Sequence, residues 1–180
     1  MGFKCGLVGL PNVGKSTLFT ALSNLPVERA KYPFSTVEPN KGVIPVRDER
    51  LYKVAVLAGL EKITPATLTI VDIAGLIKGA SKGEGLGNRF LAHIREMDLL
   101  LHVIRGFKAT DVPHLAGEPD PQRDIEIINL ELILADIAFL EKRREKILRN
   151  AKSNTPEAQL EKNLVEKIYA HLNNGKTART

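Results

Sequence analysis

The stretch Gly9-Leu10-Pro11-Asn12-Val13-Gly14-Lys15-Ser16 decides the fold. It fits the pattern G-x-x-x-x-G-K-[ST], in which glycines permit a turn whose backbone N–H groups surround phosphate oxygens. Before it, Phe3 to Val8 reads as a short buried strand; after it, Ser16 to Leu25 reads as a helix stopping ahead of Pro26. Strand, glycine turn and helix are the context such a loop requires, and the helix adds the positive end of its dipole. Asn12, Val13, Gly14, Lys15, Ser16 and Thr17 form the candidate phosphate cradle. Lys15 can reach the β- and γ-phosphates of a nucleotide, the Ser16 hydroxyl can ligate Mg²⁺, and Thr17 is placed to donate to the α-phosphate.

Two further motifs lie downstream. Thr67 to Val71 is β-rich and ends at Asp72, where a carboxylate would hold Mg²⁺ through water. In Asp72-Ile73-Ala74-Gly75, Gly75 lets a backbone N–H approach a γ-phosphate. A D-x-x-G following a phosphate loop points to a switch-type nucleoside triphosphatase. Such a switch also needs a threonine that completes the metal shell when the γ-phosphate is present. Within Tyr32-Pro33-Phe34-Ser35-Thr36-Val37-Glu38-Pro39-Asn40, Ser35 and Thr36 both qualify chemically.

The remaining pattern predicts an α/β fold. Gly42 to Val46 and Leu99 to Ile104 read as strands. Glu49 to about Leu60, capped by Asp48, reads as a helix whose Leu51, Val54, Leu57 and Ala58 share a face. Asn88 to Met97 reads as another helix. Strands alternating with helices imply a mostly parallel sheet with helices on its faces. From Gln122 to about Ala151 the pattern becomes one long amphipathic helix, with Ile133, Leu140 and Ile147 seven apart, Leu130 and Ile137 at complementary positions, and Arg144 breaking the seam. A second helix starts at Thr155-Pro156, carries Leu160, Leu164, Ile168 and Leu172 four apart, and stops at Asn173-Asn174-Gly175. The expected organisation is therefore a nucleotide-binding domain over residues 1–121, lacking part of its sheet, and a projecting antiparallel helical hairpin, or coiled coil, over 122–180.

Composition narrows the function classes. The 180 residues carry one cysteine, Cys5, so an intramolecular disulfide framework is excluded and Cys5 reads as a small buried hydrophobe. No apolar run approaches the ~18 residues of a membrane helix, so no membrane partner is expected. The N-terminus passes straight into a strand without a signal-peptide pattern, which suits a cytoplasmic protein. Residues 1–140 hold 16 Lys+Arg against 16 Asp+Glu, whereas residues 141–180 hold 10 against 5 and supply the whole net charge of +5. A neutral body does not suit a nucleic-acid surface, but the basic hairpin can attract phosphate.

The stretches GLVGLPNVGKSTLFTALS (6–23), YPFSTVEPNKG (32–42) and DIAGLIKGASKGEGLGNRFLAHIRE (72–96) resemble the YchF branch of the Obg family, the Obg-like ATPases. The hairpin after the third motif separates this branch from Obg proper. By the resemblance, Thr36 rather than Ser35 is the switch metal ligand, Mg²⁺ and ATP or GTP are the cofactor and substrate, and ATP is favoured. Asn12 resembles an asparagine that can help bind K⁺ in related enzymes, which makes K⁺ a candidate activating ion. The base-recognition motif N-x-x-E is found by letter in Asn154–Glu157 and Asn163–Glu166, but neither follows a strand. The chain also reads as the N-terminal part of a longer protein.

Mechanistically, the residue after D-x-x-G is Leu76, which cannot orient water as the glutamine of Ras-type switches does. His114, in the loop Asp111–Gly117, is the candidate replacement, and His93, His102 and His171 receive no role. The expected activity is hydrolysis of ATP, or GTP, to the diphosphate, with Lys15 stabilising the developing charge and the basic hairpin docking on ribosomal RNA or protein. The rival is a nucleotide-gated ribosome-binding module with negligible hydrolysis. A small-molecule kinase is disfavoured, because no acceptor-substrate lid is visible.

Overall fold

A computed structural model describes residues 2–24, 39–73, 92–109, 112–114, 117–149 and 155–180. Four strands, β1 (Phe3–Val8), β2 (Asn40–Pro45), β3 (Thr67–Asp72) and β4 (Leu99–His102), form one sheet in the order β2-β3-β1-β4. Strand β1 pairs in parallel with β3, placing Leu7 opposite Asp72, and in parallel with β4, placing Val8 opposite His102. Strand β2 pairs antiparallel with β3, from Asn40 opposite Asp72 to Pro45 opposite Thr67. The sheet is thus mostly parallel, and β1 is central and buried toward its C-terminal end. That is where an α/β sheet presents its ligand site.

Helix α1 (Lys15–Ser23) packs Phe19 against Cys5, Leu7 and Ile70 of the sheet. Burial raises the pKa of the Cys5 thiol, as suits a core residue. Helix α1 ends at Asn24, whose left-handed backbone closes the helix two residues before Pro26. The asparagine cap, not the proline, is the stop. Helix α2 (Glu49–Leu57) is capped by Asp48, which accepts from the Arg50 N–H at 3.0 Å. The expected inward face is corrected here. Ala55 is the buried residue, and Val54 and Leu57 are exposed. At about 100° per residue, a helix that turns Ala55 inward turns Leu57 to the opposite side. Residues 92–95 form a single helical turn before β4, the described remainder of the helix expected over 88–97.

The described residues form two units, one running up to Pro121 and the other from Gln122 to Thr180. The second consists of α3 (Pro121–Arg149) and α4 (Pro156–Asn173). Its cross-contacts run in opposite senses: Glu141 meets Tyr169, Arg144 meets Glu166, and Arg143 meets Glu161. The helices are therefore an antiparallel hairpin. Ile133, Leu140, Val165 and Leu172 form its core, with Ile137, Ile147, Ile168 and Tyr169 against them. Thr155 caps α4 through the Ala158 N–H at 3.3 Å, and Gly175 follows in left-handed conformation. The four-residue stripe expected on α4 breaks down at its start, because Leu160 and Leu164 are exposed. A step of four drifts by ~40° each time, so three steps carry one end off the seam. Arg144, the break in the α3 seam, lies 4.2 Å from the Tyr169 ring centroid and bonds Glu166. Truncating Leu172, which is fully buried, should cost about 3 kcal/mol. Urea unfolding of Leu172→Ala checks this, and a loss below about 1 kcal/mol would mean that the hairpin core collapses to fill the gap.

Candidate nucleotide site

The site grows from the end of β1. Gly9 lies so close to the chain leaving β4 that a Cβ on it would sit 2.3 Å from the Val103 carbonyl oxygen. The Val103 N–H donates to Val8 O at 2.8 Å and locks this approach. Leu10 and Val13 turn inward and are buried, anchoring the loop. Asn12 and Gly14 adopt positive φ, 61° and 105°, which folds the backbone into a tight concave turn. Gly14 is the N-cap of α1 and has no side chain to occupy the first helical N–H groups. A phosphate can take them.

Lys15 begins α1 and is buried, with Nζ donating to Leu10 O at 2.9 Å. Burial lowers its pKa from 10.5 to about 8, although the nearby Asp72 carboxylate pulls the other way. Ser16 Oγ donates to Asp72 Oδ2 at 2.6 Å, joining the phosphate loop to the end of β3. Burial raises the Asp72 pKa, against the opposing effects of the Ser16 bond and the Lys15 charge. Asp72 Oδ1 is buried without a hydrogen-bond partner among the described residues. A buried, unpaired carboxylate oxygen is costly. A hydroxyl and a carboxylate are the hard oxygen donors that suit Mg²⁺, so the residues present fit that ion. Thr17 is exposed on the first turn of α1.

The loop after β4 also reaches this place. Asn12 Nδ2 donates to Pro113 O at 3.3 Å, which puts the residue before His114 against the phosphate loop. His114 is buried, and its carbonyl accepts from Gly117 N–H at 3.1 Å. The structure therefore brings Asn12, Lys15, Ser16, Asp72 and the His114 segment to one end of the sheet. Thr36 and Gly75, with Ser35 and Leu76, lie outside the described residues. Of the two N-x-x-E matches, Asn154 lies outside them as well. Asn163 and Glu166 are on α4, where Glu166 bonds Arg144. Sequence reasoning missed Arg105, which is buried and bonded to the main chain of the loop before His114. A charged residue directly after the apolar run Leu99–Ile104 was the available signal.

A parallel β1–β3 core, a glycine turn leading into α1, and an aspartate bonded to the loop's serine define a P-loop nucleotide-binding protein. The chain belongs to the family described as 50S ribosome-binding GTPase, which matches residues 4–148. It is similar to the Ribosome-binding ATPase YchF of Haemophilus ducreyi, 52% identical over 180 residues, covering 100% of this chain and 50% of that protein. The Bacillus subtilis protein of the same name is 47% identical, over 100% of this chain and 49% of its own length. Among solved structures, the Schizosaccharomyces pombe YchF GTPase matches with a TM-score of 0.71 and 40% identity, over 97% of this chain and 48% of that one. The resemblance to the YchF branch therefore holds along the chain, which spans about half the length of these relatives. No described helix is long and apolar enough to cross a membrane.

Proposed function

We propose that the chain is the nucleotide-binding part of a molecular switch that hydrolyses ATP, or GTP, to the diphosphate with Mg²⁺. The observation that carries this reading is the 2.6 Å Ser16–Asp72 bond beside an unpaired Asp72 Oδ1. Two oxygen donors from separate motifs meet there, next to a buried lysine. Ser16 would hold Mg²⁺ directly and Asp72 through water, with Thr36 as the third contributor. When bound, the ion supplies charge stabilisation for the bridging and terminal phosphate oxygens. Lys15 exchanges its bond to the Leu10 carbonyl for the β- and γ-phosphates. The backbone N–H groups of residues 12–17 hold the phosphates in line for attack by water. Gly75 would direct its N–H to the γ-phosphate. His114 is the candidate that orients the water, because Leu76 offers no hydrogen bond.

We assign residues 1–121 to the nucleotide-binding domain and 122–180 to the hairpin. The relatives are named ribosome-binding, and the basic residues of 141–180 give the hairpin a surface for rRNA or ribosomal protein in the cytoplasm. Asn12 is the candidate for K⁺ stimulation, and activity that is unchanged between KCl and NaCl would remove it. Competition of ATP and GTP against a fluorescent nucleotide, with phosphate release followed in parallel, tests the reading. Absence of Mg²⁺-dependent binding to either nucleotide would overturn it. Ser16→Ala should weaken Mg²⁺-dependent nucleotide binding by about tenfold or more, since a charge-assisted oxygen contact is worth ~1.5–3 kcal/mol. An Mg²⁺ titration of both proteins measures this. Leu76 favours a second reading, a nucleotide-gated ribosome-binding module. Turnover that stays negligible when ribosomes are added would select it.

A further inference from the structure

The segment after β4 is gathered by one buried cation. Arg105 is 2% exposed. Its guanidinium donates from Nε to Phe107 O at 3.2 Å, from Nη2 to Ala109 O at 3.0 Å, and from Nη1 to Val112 O at 2.9 Å. It also lies 5.3 Å from the Phe107 ring centroid. Loop carbonyls ordinarily face water. Here three of them converge on one planar fork of donors, a geometry that fixes their relative directions as well as their distances. The carbonyl that follows, Pro113 O, accepts from Asn12 Nδ2, and His114 comes next. The contacts thus run from Arg105 to the carbonyls of Phe107, Ala109 and Val112, and from the next carbonyl, Pro113 O, to Asn12 of the phosphate loop.

The geometry points to Arg105 as a positioning residue that holds the loop after β4 against the phosphate loop, so that the His114 segment is pre-placed for the reaction. Its catalytic consequence rests on the hydrolase reading above; its structural part does not. Arg105 acts through the main chain of the loop and not on the substrate. A lysine keeps the charge but lacks the planar fork that sets three carbonyls in fixed directions, and alanine serves none.

The test compares the 180-residue chain with Arg105→Lys and Arg105→Ala by amide hydrogen exchange and by steady-state hydrolysis. Exchange should quicken by about tenfold or more in peptides covering residues 105–117 and, as the sign of positioning, also in 9–16. The kcat should fall by about tenfold or more, with KM for the nucleotide within about twofold, in the order wild type, lysine, alanine. A residue that merely supports the core would lower the melting temperature without splitting kcat from KM. If the alanine variant does not fold, the lysine variant, which keeps the charge and stem, carries the test. Unchanged exchange in residues 9–16 of folded Arg105→Lys overturns the proposal, as does faster exchange with unchanged kcat. If the unmodified chain shows no turnover with or without ribosomes, the hydrolase reading fails, and the exchange of residues 9–16 alone decides the role of Arg105.

Discussion

Replacing Lys15 with methionine should stabilise the nucleotide-free protein while weakening nucleotide binding by about 100-fold. Both effects come from the same burial. A lysine whose pKa falls from 10.5 to about 8 is destabilised in its charged form by roughly 3 kcal/mol at neutral pH. Its bond to the Leu10 carbonyl returns about 1 kcal/mol, so methionine, of similar length and apolar, should gain about 2 kcal/mol. That amounts to a rise of several degrees in melting temperature for a chain of this size. The cost of the charged lysine is fully present below pH 8. It is relieved as pH rises from about 8 toward the unfolded value near 10.4, because there the unfolded chain binds the extra proton. Stability of the free protein should therefore increase across that window, and in the methionine variant this increase should vanish. Bound phosphate requires the ammonium form. Nucleotide affinity should accordingly weaken progressively as pH rises above about 8. Calorimetric melting and nucleotide titration at pH 7, 8 and 9.5 measure both. A lower melting temperature for Lys15→Met at pH 7 would show that the buried charge is not a burden in the free state.

What was legible in the sequence follows from which constraints are local. The phosphate loop could be read because phosphate demands glycine, lysine and a hydroxyl at fixed spacing, and Asp72 because a strand end carries it to the same place. The antiparallel hairpin was legible from two apolar periodicities joined by a turn. The α2 and α4 faces were not, because residues three or four apart define a stripe but the partner decides where the stripe begins. Ala55 and Val165 took the inward positions that Leu57 and Leu164 were expected to hold. The antiparallel pairing of β2 also left no trace, since α2 lies in the connection between β2 and β3 and the two strands meet only across it, from Asn40 opposite Asp72 to the Val46 N–H on Ala66 O at 2.8 Å. Arg105 stood out only as a charge at the end of the apolar run Leu99–Ile104, and its role could not be read. Its partners are carbonyls, which every residue has, so no side-chain pattern marks them.

Among the described glycines, Gly9→Ala should be the most damaging single-methyl change. Its Cβ would meet the Val103 carbonyl oxygen at 2.3 Å and Val13 Cγ2 at 3.2 Å. The first of these is backbone and cannot rotate away. Restoring ordinary contact requires about 1 Å of separation between the end of β1 and the chain beyond β4. The Val103–Val8 hydrogen bond at 2.8 Å opposes that movement, as does the β1–β4 ladder below it. We expect a loss of about 3 kcal/mol or more, measured by urea unfolding. Gly14→Ala makes the contrast. At Gly14 φ is 105° but nothing lies within 4 Å of a Cβ, so its cost is backbone strain of about 1–2 kcal/mol, confined to the loop. A Gly9→Ala variant as stable as Gly14→Ala would mean that β1 and β4 can part without loss. The site makes that outcome unexpected. Val103 is held against Gly9, Arg105 follows two residues later, and the loop it gathers returns to Asn12. The first glycine of the phosphate loop thus fixes both ends of that circuit, and a methyl group there must shift the cradle and the His114 segment together.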